Sequence, residues 1–226
     1  MNRFVYNAAT VISKYVLLPI YTRITVVGLE NLPMTGPLII ASNHLNDVDP
    51  GILCTRIRRP IVFMAKIELF RVPGLAQFLR AFGAFPVKRG EADLSALRNA
   101  NVALEKGMAV CIFPEGTREG PDEQLAEAWP GAALIAQRAN ATVLPVAIHG
   151  SGKLGLPKMF LYPYRKAHIT LTIGKPFVLA KPARLNAEAA QDGTREIMER
   201  IAALLPEGNR GYYGYVNDDA NTASSS

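Results

Sequence analysis

Short apolar runs recur along this chain, and longer segments of mixed polarity separate them. The runs Pro37–Ala41, Met108–Ile112 and Thr142–Ile148 each hold five to seven residues with few polar positions. Runs of this length are typical of strands that are buried on both faces of a sheet. The segments between them have the length and spacing of helices, so the pattern predicts strands that alternate with helices.

Turn residues divide this pattern into individual elements. The predicted strands are Ile24–Leu29, Pro37–Ala41, Ile61–Met64, Ala84–Val87, Ala109–Phe113, Thr142–Ile148 and His168–Ile173. The predicted helices are Gly51–Ile57, a segment from Lys66 through Phe82, Asp93–Lys106, Gly131–Arg138 and Ala187–Leu205. We therefore predict an α/β fold in which residues 24–205 form a single domain, with a mixed, largely parallel central sheet flanked by helices. The composition of residues 206–226 predicts a loosely ordered or disordered tail.

The N-terminal segment, residues 1–23, has a different pattern. Phe4–Tyr21 is mostly apolar, but Lys14 lies near its middle and Pro19 near its end, which makes a membrane-spanning helix costly. The apolar residues that share one helical face are Phe4, Ala8, Val11, Ile12, Tyr15 and Leu18. We expect an amphipathic helix that lies at a membrane surface. A helix that packs on the domain's own core is the alternative that the sequence leaves open.

Charge is distributed unevenly along the chain, which has a formal net charge of +6. No Asp or Glu occurs from Ala128 to Ala187, whereas eight Lys and Arg residues do. This asymmetry favours an anionic partner, such as acidic lipid headgroups, a phosphorylated ligand or nucleic acid, although scattered lysines can also form a simple solvated face. Together with the N-terminal helix, the asymmetry favours an anionic membrane surface and not nucleic acid.

The few cysteines and histidines exclude some kinds of site. Cys54 and Cys111 both lie in apolar surroundings, so we interpret them as small core residues of a protein from a reducing compartment. The three histidines, His44, His149 and His168, are too few and too scattered to predict a metal centre. We predict neither a bound metal nor a cofactor.

One histidine lies in a context that indicates catalysis. His44 follows the predicted strand Pro37–Ala41, where ligands bind in α/β sheets, and Asp49 lies five residues further on. A histidine that accepts a proton, oriented and charge-compensated by an aspartate, is the minimum requirement for a general base. Asp49 precedes Pro50 and could instead cap a helix, in which case Asp47 could orient the histidine.

A second segment suggests where an anionic group binds. Phe113–Arg118 follows an apolar run and ends in a Gly-Thr-Arg turn that is suited to an anion. No Gly-x-Ser-x-Gly motif is present in the sequence, and Ser42 has no evident activating partner. The two segments together indicate that His44 deprotonates a hydroxyl beside a phosphate, and that this hydroxyl attacks a bound acyl donor directly.

These residues resemble four signature blocks of the glycerolipid (lysophospholipid) acyltransferase family, including the bacterial 1-acyl-sn-glycerol-3-phosphate acyltransferases. The blocks are, in family order, Asn43-His44 with Asp49, Lys66–Arg89, Phe113–Arg118 and Val143–Val146. The resemblance extends over roughly residues 24–205. Asn46-Asp47 departs from the usual family pattern, which leaves the preference for the acyl acceptor open.

The resemblance implies a role for each matched residue. His44 is expected to deprotonate the 2-hydroxyl of 1-acyl-glycerol-3-phosphate (lysophosphatidic acid), with Asp49 as its partner. The hydroxyl would attack the thioester of acyl-CoA or acyl carrier protein, and phosphatidic acid would form. Glu115 and Gly116 are expected to shape the site, with a backbone amide there as an oxyanion donor. The residues expected to bind the phosphate are Lys66, Arg89 and Arg118, and those expected to support the site are Asn43, Thr117 and Pro145.

The sequence therefore predicts an acyltransferase of phospholipid biosynthesis, held peripherally or monotopically at the cytoplasmic face of the cell membrane. One alternative keeps the chemistry but changes the acceptor to another lysolipid or to an amino-acid lipid. A second alternative is a lipid hydrolase in which His44 activates water. A third is a lipid-binding protein without catalytic activity, against which the intact set of His44, Asp49, Glu115 and Arg118 argues.

Overall fold

The computed structural model of the protein describes residues 3–88, 93–116, 123–152, 154 and 166–214. The strands are β1 Thr22–Val27, β2 Leu38–Ser42, β3 Ile61–Lys66, β4 Ala84–Val87, β5 Ala109–Ile112, β6 Thr142–His149, β7 Ala167–Ile173 and β8 Phe177–Val178. The α-helices are α1 Arg3–Ile12, α2 Leu18–Tyr21, α3 Asp49–Arg56, α4 Leu75–Ala81, α5 Leu94–Glu105, α6 Gly131–Ala139 and α7 Ala187–Ala202. A π-helical turn covers Ser13–Leu17, and 3-10 turns cover Leu29–Asn31, Ile67–Arg71, Glu207–Asn209 and Gly211–Tyr213.

The strands that the structure describes form one sheet with the order β1-β7-β6-β2-β5-β3-β4, and β8 pairs with the first residues of β6. β6, β2, β5, β3 and β4 run parallel to one another. β7 and β8 are antiparallel to β6, and β1 is parallel to β7. The predicted α/β fold with a mixed, largely parallel sheet is confirmed.

The central strand β2 separates two hydrophobic cores, and all five of its residues are buried. Successive side chains of a strand point to opposite faces of the sheet. Ile39 and Ala41 accordingly pack into the core under α5, α6 and α7, whereas Leu38 and Ile40 pack into the core under α3, α4 and the N-terminal helix. The result is a helix–sheet–helix sandwich in which the sheet is covered on both faces.

The N-terminal helix, from Arg3 to Tyr21, consists of α1, the π-helical turn and α2. Tyr6 anchors its inner side, because the Tyr6 hydroxyl donates to Cys54 Sγ at 3.4 Å and accepts the Ile61 N–H at 3.2 Å. Its outer side presents apolar residues to solvent: Phe4, Val11, Ile12 and Tyr15 are 82, 54, 51 and 67% exposed. The N-terminal helix therefore packs on the domain's core, as the alternative prediction has it, along its inner side only. None of the helices in the described part of the chain is both long enough and apolar enough to cross a membrane.

The predicted helical segment from Lys66 through Phe82 is wrong in its first half. Lys66 ends β3, a 3-10 turn follows, and α4 begins only at Leu75. Pro73 restricts the residue before it to extended backbone, and Gly74 has a φ of +80°. This Pro-Gly pair therefore interrupts a pattern that would otherwise suit one helix.

The predicted loose tail is wrong for residues 207–213, which we name the C-terminal strap. The strap forms two 3-10 turns and lies beside residues 123–128. The Tyr212 N–H donates to the Leu125 carbonyl at 2.9 Å, and the hydroxyl of the buried Tyr213 accepts the Ala128 N–H at 3.1 Å. Hydrogen bonds to a distant segment thus order a stretch whose polar composition predicts disorder. Residues 215–226 lie outside the described residues.

Candidate active site

Three neighbouring parallel strands, β5, β2 and β6, end at the same edge of the sheet. His44 lies two residues after the end of β2, Glu115 lies three residues after the end of β5, and His149 is the last residue of β6. The carboxyl ends of parallel strands form the ligand-binding edge of α/β sheets. The structure thus brings His44 and Glu115, which belong to separate predicted segments, to one place.

His44 and Asp49 form a hydrogen-bonded pair at this edge, with His44 Nδ1 lying 3.0 Å from Asp49 Oδ2. The same oxygen accepts the Leu45 N–H at 2.8 Å and the Asn46 N–H at 2.7 Å. An ionised carboxylate only accepts hydrogen bonds, so this network assigns the shared proton to Nδ1. Nε2 is then the nitrogen that can take a proton from a substrate hydroxyl.

Asp49 is fully buried and is the first residue of α3, while Val48 occupies the cap position without a side-chain hydrogen bond. Because the Asp49 carboxylate is directed back to residues 44–46, the alternative in which it caps the helix is wrong. Three donors on Oδ2 offset the cost of burying the charge. Asp47 is exposed. The geometry therefore favours Asp49 over Asp47 as the carboxylate that orients His44.

The imidazole ring of His44 is also held by packing. It stacks on Phe113, with ring centroids 4.2 Å apart and an angle of 21° between the planes. Its side chain is only 11% exposed. Phe113 directly follows β5 and belongs to the second predicted segment. It therefore forms one wall beside His44, which belongs to the first. Stacking and the bond to Asp49 together fix both the plane and the rotation of the ring.

Asn43 connects the end of β2 to β6. Its Nδ2 donates to the Ile148 carbonyl at 2.8 Å, and its Oδ1 accepts the Ile148 N–H at 2.7 Å. Asn43 is only 1% exposed, and both ends of its side-chain amide are occupied. These bonds set where the chain leaves the sheet just before His44, and the expected supporting role of Asn43 stays a prediction.

Glu115 connects the two predicted segments through their backbones. Its Oε1 accepts the His44 N–H at 3.3 Å, and its Oε2 accepts the Ala126 N–H at 3.0 Å. The residue is 2% exposed. Through these contacts Glu115 positions the backbone of His44, and its expected catalytic role stays a prediction.

The Gly116 amide is engaged within its own turn, and the oxyanion donor expected at Glu115-Gly116 stays a prediction. The Gly116 N–H donates to the Phe113 carbonyl at 3.1 Å. The turn nevertheless requires glycine, because φ is +71° and an added Cβ would lie 3.0 Å from Cδ1 of Trp129. Gly116 therefore shapes the loop and lets Trp129 approach it.

The predicted phosphate-binding residues lie only partly within the described chain. Lys66 is exposed at the end of β3, which is parallel to β5, and therefore lies along the same edge as His44. Arg89, Thr117 and Arg118 lie outside the described residues, so their roles stay predictions. Pro145 lies within β6 and pairs with Ala41. Pro145 therefore lies in the sheet below the site. The residues of β6 before it pair with β8, and those after it pair with β7.

A second acid–histidine pair, which the sequence does not predict, lies at this edge. Glu123 Oε2 lies 3.1 Å from His149 Nδ1 and accepts the Gly150 N–H at 3.0 Å. Glu123 is 4% exposed and has a φ of 52°, which is rare for a residue with a side chain. The only signal in the sequence is a histidine at the end of a predicted strand, because the sheet alone brings the two residues together.

The comparisons with known proteins agree with this geometry. The sequence model of the Acyltransferase family matches residues 23–149, which is more than half of the chain. The chain belongs to this acyltransferase family. The 1-acyl-sn-glycerol-3-phosphate acyltransferase of Bacillus subtilis strain 168 is 33% identical over 210 residues, which cover 90% of this chain and 96% of the relative. The chloroplastic 1-acyl-sn-glycerol-3-phosphate acyltransferase LPAT1 of Arabidopsis thaliana is 32% identical over 139 residues, which cover 60% of this chain but 38% of the relative.

A solved structure supports the same assignment for this acyltransferase. The crystal structure of the 1-acyl-sn-glycerophosphate (LPA) acyltransferase PlsC from Thermotoga maritima has a TM-score of 0.66 at 25% sequence identity, with 89% of this chain and 79% of that chain covered. The family match runs from β1 to the end of β6 and includes His44, Asp49 and Glu115. The resemblance predicted from four short blocks is therefore confirmed, and the chain is an acyltransferase. Within the described ranges, no three His, Cys, Asp or Glu side chains form a group that could hold a metal ion.

Proposed function

We propose that this acyltransferase moves a fatty acyl group from a thioester donor to the 2-hydroxyl of 1-acyl-glycerol-3-phosphate, and so makes phosphatidic acid. The observation that carries the chemistry is the 3.0 Å contact between His44 Nδ1 and the buried Asp49. The acceptor is supported by the names of the Bacillus subtilis relative and of the Thermotoga maritima enzyme. The donor is either acyl-CoA or acyl carrier protein.

The reaction requires one base and no covalent enzyme intermediate. His44 Nε2 takes the proton of the acceptor hydroxyl while that oxygen forms a bond to the thioester carbonyl carbon. The carbon–sulfur bond then breaks, and the thiolate receives the proton from the imidazolium. Asp49 holds the imidazole in the required tautomer and stabilises the positive charge that develops on it.

Direct attack by the acceptor is favoured because the nearest candidate nucleophile on the enzyme is occupied. Ser42 is fully buried at the end of β2, and its hydroxyl donates to the Asn43 carbonyl at 3.1 Å. A serine nucleophile needs a hydrogen bond to a base and access to the substrate. Ser42 has neither, so an acyl-enzyme route through it is disfavoured.

We assign the acceptor's phosphate to a set of cations that includes Lys66. Lys66 is exposed at the end of β3, and the family resemblance adds Arg89 and Arg118. A guanidinium group matches two phosphate oxygens at once, so we assign Arg118 the largest share of phosphate binding. The apolar outer side of the N-terminal helix supports a peripheral position at the cytoplasmic face of the membrane, where the lipid acceptor resides.

Product analysis with a panel of acceptors tests this proposal. The purified enzyme is incubated with each acyl donor and with 1-acyl-glycerol-3-phosphate, a monoacylglycerol without phosphate or a lysophospholipid with a larger headgroup. We expect phosphatidic acid from the first acceptor and little diacyl product from the others. Equal use of the monoacylglycerol would contradict a phosphate site. Fatty-acid release without any acceptor would instead identify a hydrolase.

A further inference from the structure

A cavity of about 590 Å³ lies beside the catalytic loop and has no role in the mechanism above. It is formed where residues 127–130, α7 and the C-terminal strap meet, and we name it the strap cavity. The side chains that line it and matter for its chemistry are Glu127, Trp129, Gln191, Arg195, Tyr212 and Tyr213. A volume of this size is within the range of small-molecule sites, about 300–1,000 Å³.

The strap cavity adjoins the segment that positions His44. The Trp129 N–H donates to the Pro114 carbonyl at 2.9 Å. On the other side of Glu115, a Cβ added to Gly116 would lie only 3.0 Å from Trp129 Cδ1. Glu115 in turn accepts the backbone N–H of His44. A molecule bound against Trp129 would therefore contact a residue that packs on both chain neighbours of Glu115.

Among the residues that the structure describes, the lining combines aromatic rings with one cation, Arg195. Trp129 and Tyr212 are each 56% exposed, so their rings present open surface to a ligand. The buried Tyr213 fixes the wall, because its hydroxyl accepts the Ala128 N–H. Arg195 is exposed on α7, and none of the carboxylates in the described part of the chain lies within ion-pair distance of it. Aromatic rings stack on planar bases, and a free guanidinium binds phosphate.

We propose that the strap cavity binds the phosphorylated adenine nucleotide of an acyl-CoA donor. The inference rests on the proposed function, since it assigns the acyl donor of that enzyme. A planar, anionic group matches two exposed rings and one guanidinium better than a hydrocarbon chain does, because a chain would leave Arg195 and Gln191 unused. A folded carrier protein is too large to enter the cavity.

The carboxylate of Glu127 opposes this ligand. Glu127 is exposed on the same lining, and its carboxylate repels phosphate. The two ionised side chains therefore give predictions of opposite sign: removing the positive charge of Arg195 weakens nucleotide binding, and removing the negative charge of Glu127 strengthens it. A cavity that bound an uncharged acyl chain would not respond in this way.

Trp129 is the single tryptophan of the chain and lines the strap cavity, so its fluorescence reports on binding there. Free coenzyme A and adenosine 3′,5′-bisphosphate are titrated into the full-length enzyme, and tryptophan fluorescence is followed. We expect saturable quenching by both. Arg195→Gln should raise the Kd about tenfold, as expected for the loss of a charge-assisted contact, and Glu127→Gln should lower it.

Arg200→Gln is the matched control on the same helix. Arg200 is directed elsewhere, because it pairs with Glu196 at 2.8 Å and lies over the Phe177 ring at 3.9 Å. Its substitution removes the same charge and should leave the Kd unchanged. Absence of quenching, or equal effects of Arg195→Gln and Arg200→Gln, would overturn the proposal.

Kinetics separates this proposal from the proposed function. Arg195→Gln should raise the KM for acyl-CoA and leave kcat nearly unchanged, whereas His44→Ala should lose turnover and keep the same Kd for coenzyme A. Normal acyl transfer from carrier protein together with no coenzyme A binding would overturn the cavity assignment alone. Coenzyme A binding by an enzyme that does not transfer acyl groups would support the cavity and contradict the function.

Discussion

In the proposed mechanism, the reactivity of His44 depends on one oxygen atom, Asp49 Oδ2, which contacts the imidazole and two backbone N–H groups. Replacing the carboxylate by an amide keeps its shape but allows the nitrogen of the amide to donate to Nδ1, which would place the imidazole proton on Nε2. The imidazole could then no longer take a proton from the acceptor. The proposed mechanism therefore requires a carboxylate at Asp49 that only accepts hydrogen bonds and whose Oδ2 has three donors.

Asp49→Asn is therefore expected to lower kcat by roughly 10²–10⁴-fold, with a smaller effect on KM. Asp47→Asn is the matched control, since Asp47 carries the same group two residues away and is exposed. It should stay within about twofold of the parent enzyme. Steady-state kinetics of both variants decides the matter. If Asp47→Asn were the more damaging change, the assignment of the orienting carboxylate would be reversed.

The His44–Asp49 pair could be predicted from the sequence because its two members are close in the chain and follow a recognisable strand. The choice between Asp47 and Asp49 could not, since it depends on which carboxylate is directed into the turn. Glu123 and His149 show the harder case. They meet only because the end of β6 and the segment that begins at Glu123 lie at the same edge of the sheet, and no local sequence pattern predicts that contact.

Among the elements, the C-terminal strap has the least expected role. It lies along residues 123–128, and Ala126 of that segment donates to Glu115, which accepts the N–H of His44. The strap is thus connected to His44 through three successive hydrogen bonds, two of which involve the Glu115 side chain. Gly211 is the tightest point, because φ is +47° and an added Cβ would lie 2.2 Å from the Leu125 carbonyl oxygen.

Gly211→Ala is expected to displace the strap, to lower the free energy of unfolding by about 1–3 kcal/mol and to reduce kcat between about 10- and 100-fold. Gly208→Ala lies in the same strap, and its added Cβ would meet nothing within 4 Å. That control should match the parent in both chemical denaturation and turnover. Equal behaviour of the two variants would show that the strap does not support the site.

The N-cap of helix α5 is expected to make the stability of the folded protein depend on pH under acidic conditions. Asp93 caps it by accepting the Ser95 and Ala96 N–H groups at 2.9 and 3.1 Å, and its other oxygen accepts the Lys88 N–H at 2.9 Å. These hydrogen bonds, with the Ser95 hydroxyl first among them, lower the pKa of Asp93 to about 2 from 3.8. Because the folded pKa is lowered, the contribution of Asp93 is present above about pH 4 and is lost as pH falls toward 2.

Asp93→Ala should lower the free energy of unfolding at pH 7 by about 1 kcal/mol, as measured by denaturant titration. Asp93→Asn keeps a capping oxygen but does not titrate, so it should retain most of the stability at pH 7. As pH falls from 4 to 2, the parent should lose stability relative to Asp93→Asn, because only the aspartate titrates. A difference that does not depend on pH would contradict the assigned cap.

The elements themselves differ in how far the sequence predicts them. β2, β5 and β6 were predictable because each is a short apolar run that ends in polar residues. The segment after Lys66 was not, since a helical pattern is interrupted by Pro73-Gly74. The strap was not predictable either, because its order comes from hydrogen bonds to residues 123–128 and not from its own composition.

For the whole molecule, the distribution of exposed apolar residues supports the proposed contact with a membrane surface. Val11 and its exposed neighbours on the N-terminal helix form an apolar surface that the core does not need. Deleting the helix would also remove Tyr6 from the core, so a point substitution is the cleaner test. Val11→Asp should weaken binding to vesicles of anionic phospholipid by about tenfold or more, measured by sedimentation.

Val178→Asp is the control for this substitution, because Val178 on β8 is 55% exposed and Val11 is 54% exposed. Both variants add the same charge at the same degree of exposure. Only the change on the N-terminal helix should affect vesicle binding. A similar loss in both variants would attribute the effect to net charge and would exclude the helix as the membrane contact.

The central claim is that His44 is the base of an acceptor-dependent acyl transfer. The most direct measurement is the rate of thiol release from acyl-CoA, and separately from acyl carrier protein, with and without 1-acyl-glycerol-3-phosphate in mixed micelles. The parent enzyme should release thiol only with the acceptor, and His44→Ala should lower that rate by roughly 10²–10⁴-fold while it unfolds as cooperatively as the parent. Acceptor-dependent release that persists in His44→Ala would contradict the account.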